Sequence, residues 1–312
     1  MSSATQPPVE FQVRPATLDD LAAVYRLRAA CDVADFGEAL LTEEQLRDRW
    51  HTPGFDLARD AWVATAAGVL VGYGEARGAG EQAWVRVAVS PERRSEGIGA
   101  RLLRLAEARA TEITTSNTRE VLTQVSDRDS DLQRLLEQAG YVTDLAFRIM
   151  AITFAAPPPA PEWPRGVAVR SFEVGRDERA TYAADEEASV DKGYHRALSF
   201  GEWSERMGLG RVDPALWFLA WEDAEVAGVA LNYVAPATGI GWVEHLGVRR
   251  PWRGRGLGLA LLHHAFGAFY ARGVRQVRLS VDDQSRTGAT RLYERAGMST
   301  IQHYHIYRKA LR

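Results

Sequence analysis

The stretch GWVEHLGVRRPWRGRGLGLALL, residues 241–262, contains a short apolar strand, a basic loop rich in glycine and the first turns of an apolar helix. A second version, AWVRVAVSPERRSEGIGARLL, occupies residues 83–103. Both carry the pattern Arg-x-x-Gly-x-Gly, filled by Arg253, Gly256 and Gly258 in one and by Arg94, Gly97 and Gly99 in the other. Gly254 and Arg255 add a further glycine and a further charge to the later copy. A loop of this form between strand and helix presents backbone N–H groups at the positive end of a helix dipole, an arrangement that receives phosphate oxygens. Tight turns alone explain an isolated pair of glycines, but two copies in one context favour a ligand. In a dinucleotide fold the glycines directly follow the first strand; here they come after three or four strands.

Outward from each loop the same order of features repeats. Leu257, Leu261, Ala265 and Phe269 share one helix face, as do Leu102, Leu103, Ala106 and Ala110, so each helix can cover a sheet. Upstream lie paired strands, Trp62–Thr65 with Val69–Tyr73 and Phe218–Trp221 with Val226–Tyr233, preceded by a helical stretch and a short strand ending at Arg14 or Arg170. In the first of those helical stretches Thr17 and Asp20 can cap, and Leu21, Val24, Tyr25 and Arg28 share a face. Downstream come a strand, Val121–Val125 or Gln276–Val281, and a short helix ending LLEQAGY from Leu135 or LYERAGM from Leu292. Between the copies, AAPPPAPEWP at 155–164 concentrates proline and reads as an extended, stiff linker. The expectation is α/β: two tandem domains, 9–154 and 166–312, joined by a proline-rich linker at 155–165, each with a mixed, mostly antiparallel sheet flanked by helices.

Composition narrows the class. A chain of 312 residues suits two ordinary cores. A net charge of −3 gives no broad positive field, so neither nucleic acid nor an anionic membrane is an expected partner. Cys31 is the sole cysteine, which rules out an intrachain disulfide and a cysteine metal cluster and fits a reducing cytoplasm. The most apolar run, 257–271, is too short to span a bilayer and contains His263 and His264. Asp127, Asp129 and Asp131 imitate a calcium loop, but Leu132 and Gln138 stand where glycine and glutamate are required. His303 and His305 share a strand face without an evident third ligand. No metal is expected, and the chain reads as a monomer or homodimer.

The strand, the Arg-x-x-Gly-x-Gly loop, the amphipathic helix, the next strand and the LYERAGM helix together resemble the GNAT superfamily of N-acetyltransferases. The likeness covers nearly the whole chain twice, and the tandem layout resembles that of the mycothiol synthase family, whose activity lies in the C-terminal copy. The resemblance implies acetyl-CoA as cosubstrate, with its pyrophosphate on the backbone of Arg253, Gly254, Arg255, Gly256, Leu257 and Gly258. It implies that Leu246, Gly247 and Val248 pair with the pantetheine arm as with an added strand, the amide of Leu246 polarising the thioester carbonyl. The corresponding first-copy positions are Val87, Val89, Arg94, Gly97 and Gly99.

The same resemblance makes Tyr293 the general acid; the equivalent residue of the first copy is Leu136, which has no proton to give, so the first domain is expected to be non-catalytic. Where many relatives place a glutamate base, this chain has Trp242. Glu244 lies two residues on, and by strand alternation faces the same side, with His245 opposite. Glu244 is the leading base, acting directly or through water, or else only binds the substrate cation; Asp282 is held in reserve. The acidic segment 185–194, DEEASVDKGY, falls where the family binds its acceptor and suits a cation, though a solvated acidic helix has the same composition. In 283–288, DQSRTG, Ser285 or Thr287 could cap the helix in place of a family asparagine. The expected activity is acetyl transfer to a primary amine of a small molecule. The alternatives are a non-catalytic acyl-CoA sensor or interaction module, and an acetyltransferase of protein N-termini or lysines.

Overall fold

A computed structural model describes residues 10–79, 82–114, 120–192, 195–283 and 288–311. In the N-terminal part the elements are β1 (Gln12–Pro15), α1 (Leu21–Phe36), α2 (Glu43–Trp50), α3 (Leu57–Asp60), β2 (Ala61–Ala66), β3 (Val69–Ala79), β4 (Gln82–Val89), α4 (Ile98–Ile113), β5 (Glu120–Ser126), α5 (Ser130–Gln138) and β6 (Val142–Thr153). There follow β7 (Val167–Ser171), α6 (Glu178–Ser189), α7 (Phe200–Arg206), β8 (Trp217–Glu222), β9 (Glu225–Val234), β10 (Gly241–Val248), α8 (Leu257–Ala271), β11 (Gln276–Asp282), α9 (Ala289–Arg295) and β12 (Ser299–Ala310).

The compact units do not coincide with the sequence repeats. One unit runs to Ala146 and adds His303–Arg312; the other is Phe147–Gln302. The first sheet therefore has the order β1-β2-β3-β4-β5-β12, closed by the last strand of the second repeat, and the second has the order β7-β8-β9-β10-β11-β6, closed by the last strand of the first repeat. The segment expected to be a linker has no regular secondary structure, belongs to the second unit, and packs Trp163 against that unit's core.

In each sheet all neighbours are antiparallel except one parallel pair, β4 with β5 and β10 with β11. The parallel pairs stop early: β4 and β5 are in register only over Gln82–Trp84, and β10 and β11 only over Gly241 and Trp242. Beyond those points the strands separate and leave one edge of each preceding strand unpaired. Both helix faces expected from the 3.6-residue period are buried in full, Leu102, Leu103, Ala106 and Ala110 on α4 and Leu257, Leu261, Ala265 and Phe269 on α8. The other face of the first sheet packs α1 and α2 through Val24, Leu27, Leu46 and Trp50; that of the second packs α6 and α7 through Ala184 and Trp203.

Candidate active site

The loop before α8 has the shape the sequence suggested. Gly254 and Gly256 have φ of +75° and +87°, a region costly for any residue with a Cβ, and the first loop repeats it with Ser95 at +73° and Gly97 at +84°. Among the described residues, no acceptor receives a hydrogen bond from the amides of Gly254, Arg255, Gly256, Leu257 or Gly258. Five free donors at the start of a 15-residue helix suit a diphosphate, and this is the observation against which acetyl-CoA can be tested. Gly258 has a different reason to be glycine: a Cβ there would lie 3.1 Å from Leu292 Cδ2, and Gly99 meets Leu135 at 3.2 Å in the same way. These two glycines let the paired helices pack closely.

The arginines of the loop are engaged. Arg253 pairs with Asp191 and donates to the carbonyls of Val248 (2.9 Å) and Ala188 (3.3 Å), and Arg255 pairs with Glu222. Hydrogen bonds from Arg250 and Arg253 hold the Asp191 carboxyl well below the usual carboxylate range. Ahead of the loop, Leu246 and Val248 pack toward α8, and Gly247 turns to α6, where a Cβ would come 2.8 Å from that of Ala188. The close approach brings α6 onto the strand whose other edge is open.

Strand β10 carries a bulge that alternation alone does not foresee. Val243 pairs with Asn232 and His245 with Leu231, so Glu244 is an additional residue without a partner on β9. Glu244 is exposed, and its charge acts on Tyr233 and Lys192. The bulge corrects the expected placing of His245. It lies on the α6 face, the same side as Trp242, whose ring stacks on Tyr233 with centroids 6.5 Å apart. The signal was in the sequence: AWVRVAV has seven residues between matching ends and GWVEHLGV has eight.

His245 Nδ1 lies 2.8 Å from both oxygens of Asp185, which also accepts from Trp203 Nε1 at 2.9 Å. Burial opposes ionisation of Asp185, yet His245, Trp203 and Lys192 together hold its carboxyl below the ordinary value. Burial likewise pulls the Lys192 ammonium down, against the attraction of Asp185. The His245 side chain is 11% exposed, and its Nε2 has no hydrogen bond to a described residue. Asp185, Glu186 and Glu244 thus put three carboxylates on this face of the second unit, close enough to act on Lys192, with Arg206 opposing them.

Tyr293 sits on α9 with its ring buried in the core cluster that includes Val281 and Ala296. Its counterpart Leu136 is wholly buried in the first core. Asp282, at the end of β11, is buried. Ser285 and Thr287, the possible caps, lie outside the described residues. In the first unit Val87, Val89, Arg94, Gly97 and Gly99 line one pocket of about 260 Å³. There Arg94 is held by Asp35 through two hydrogen bonds of 2.9 and 2.8 Å, with Asp129 at 3.4 Å.

Comparison with known proteins agrees with this architecture. A family model described as "Acetyltransferase (GNAT) family" matches residues 177–298, and one described as "Acetyltransferase (GNAT) domain" matches 58–143. A solved GCN5-related N-acetyltransferase from Sphaerobacter thermophilus is 39% identical, with a TM-score of 0.83 over 99% of this chain and 98% of that one. A mycothiol acetyltransferase of Geodermatophilus obscurus is 29% identical over 89% of this chain and 91% of its own length. One from Thermobispora bispora is 36% identical over 53% of this chain, a region that spans 58% of the relative.

Proposed function

Because the chain belongs to the GNAT family of acetyltransferases, we propose that it moves the acetyl group of acetyl-CoA to the primary amine of a small molecule, in the site built by its C-terminal repeat, 166–312. The five unpaired amides of residues 254–258, beside the open edge of β10, carry this reading. They would hold the diphosphate, and the unpaired main chain of Leu246–Val248 would hold the pantetheine arm. Acetyl-CoA supplies an acyl group already activated as a thioester. The names of the two curated relatives support a small-molecule acceptor, and the acidic face around Asp185, Glu186 and Glu244 supports a cationic one.

An ammonium must lose a proton before it can attack, and the leaving thiolate must gain one. Glu244, exposed on the bulge, draws the cation in. His245 takes the proton on Nε2, because Asp185 fixes Nδ1 as the protonated nitrogen and stabilises the imidazolium that forms. Tyr293 is the proton donor to sulfur. The N-terminal repeat, 9–154, is the non-catalytic partner: Leu136 replaces the tyrosine, and Arg94 is tied to Asp35 and Asp129.

The test is a screen of amines with detection of free thiol, run alongside calorimetric titration with CoA. Thiol release with an amine that is abolished by Gly256→Asp supports the reading. Tight CoA binding without turnover on any amine would replace the enzyme reading with that of a sensor.

A further inference from the structure

The first unit contains a second, larger cavity, of about 450 Å³, that the chemistry above does not use. Arg28 of α1, Arg49 of α2 and Arg86 of β4 all line it. Arg28 is only 3% exposed, yet among the described residues its Nη1 has no hydrogen-bond partner and no carboxylate lies within ion-pair distance. Among the described residues Arg49 also makes no side-chain hydrogen bond or ion pair, and Arg86 makes a loose ion pair of 3.8 Å with Glu75 and no other.

The carboxylates nearby offset these charges only in part: Glu75 and Asp32 both act on Arg28, neither within ion-pair distance of it. Glu75 is buried and accepts from the Tyr73 hydroxyl at 2.7 Å and from Arg77 at 3.3 Å, so Arg28 and Arg86 share a carboxylate that is bonded elsewhere. Asp32 accepts from the amide of Leu40, and burial pushes its carboxyl up against the attraction of Arg28 and Arg86. Asp48 is exposed on α2, and Asp35 and Asp129 are occupied with Arg94. A guanidinium left unpaired in the interior is costly and is retained where something else completes it. Burial first, and then the nearness of Arg86, bring the Arg28 guanidinium down to about 10, against the pull of Glu75 and Asp32.

We propose that this cavity is a binding site for a small organic acid, whose carboxylate is received by Arg28 with Arg49 and Arg86. The planar fork of arginine matches a carboxylate. With Glu75 and Asp32 present, the residual charge fits a monoanion better than a phosphate dianion, and Phe36, Leu40 and Leu41 on the wall offer an apolar body its contacts. The volume is that of a small-metabolite pocket. Asp32, Asp35, Asp48 and Asp129 line the cavity as well, so the call for an anion comes from the unpaired Nη1 of Arg28 and not from a net positive lining.

The experiment titrates the full chain with benzoate and succinate, and separately with inorganic phosphate, in chloride-poor buffer saturated with CoA so that the glycine loops are filled. One carboxylate should bind per chain, at least about tenfold more tightly than phosphate. Arg49→Ala, at an exposed position, should weaken it about tenfold through loss of a charge-assisted contact. Arg28→Met should abolish binding while raising Tm in the absence of ligand, since it removes an unpaired buried charge. No saturable carboxylate binding by the unaltered protein would overturn the proposal, as would binding that survives Arg28→Met. A fall in Tm in that variant would make Arg28 a structural residue and overturn it too, and tighter binding of phosphate would overturn the choice of a carboxylic acid.

Discussion

Asp185→Asn tests the proton path at its most enclosed point. Asp185 is 2% exposed and receives His245 Nδ1 at 2.8 Å and Trp203 Nε1 at 2.9 Å. The amide keeps the shape but loses the charge, and turns an N–H group toward one of two ring donors. A hydrogen bond to a buried charged group contributes about 1.5–3 kcal/mol, so unfolding free energy at pH 7 should fall by that order. Because the carboxyl is held below its ordinary value in the folded chain, its contribution is complete above the unfolded value near 3.8 and fades as pH falls through the folded one. The gap between unaltered protein and variant should therefore close in acid. In turnover, a base without its orienting anion should lose about 10²–10⁴ in kcat, with CoA affinity kept. Urea denaturation from pH 3 to 8, kcat against pH for folded protein, and the double-mutant cycle with His245→Gln would measure all three. Equal kcat per folded molecule in Asp185→Asn and the unaltered chain would refute the dyad, and Glu244 would then be the base.

Three other outcomes are expected. Tyr293→Phe should lower kcat by about 10²-fold or more while CoA titration stays unchanged, as loss of a general acid requires. Gly256→Asp places a Cβ at φ +87° and a negative charge at the five amides, so CoA binding to the second unit should vanish in calorimetry, at a stability cost of about 1–2 kcal/mol. Asp20 is held at about 2, first by Arg14 and then by Thr17; with Arg14 nearly half exposed and screened by solvent, Asp20→Asn should cost about 1 kcal/mol at pH 7, an effect that shrinks as pH falls from 4 to 2.

Most of the scaffold can be read from local pattern. The spacing of Leu102, Leu103, Ala106 and Ala110, and of Leu257, Leu261, Ala265 and Phe269, fixes which helix faces are buried, because the 3.6-residue period is a property of the segment itself. The glycine loops are legible for the same reason: left-handed φ at 254 and 256 is a local demand. What the pattern misread depends on partners far away in the chain. Simple alternation placed His245 on the wrong face, because the bulge at Glu244 is defined only against Asn232 and Leu231 of the neighbouring strand. Arg28 fell on an apolar helix face, and only the surroundings of that face reveal a buried guanidinium whose Nη1 has no hydrogen-bond partner among the described residues. The units divide at Ala146 and Gln302, away from the proline-rich segment, because strand partnership outweighs composition.

The crossed ownership of the closing strands governs how the chain can be made and divided. Residues 147–153 complete the second sheet against β11, and 303–310 complete the first against β5. During synthesis the N-terminal sheet must wait, one strand short, until all of Phe147–Gln302 has emerged, a contact of very long sequence separation and slow closure. A gene cut at the prolines would yield two fragments, each missing a strand that the other carries, with a raw β edge ready to pair with the wrong neighbour. Mixed together, those fragments should rescue one another where neither holds its shape alone.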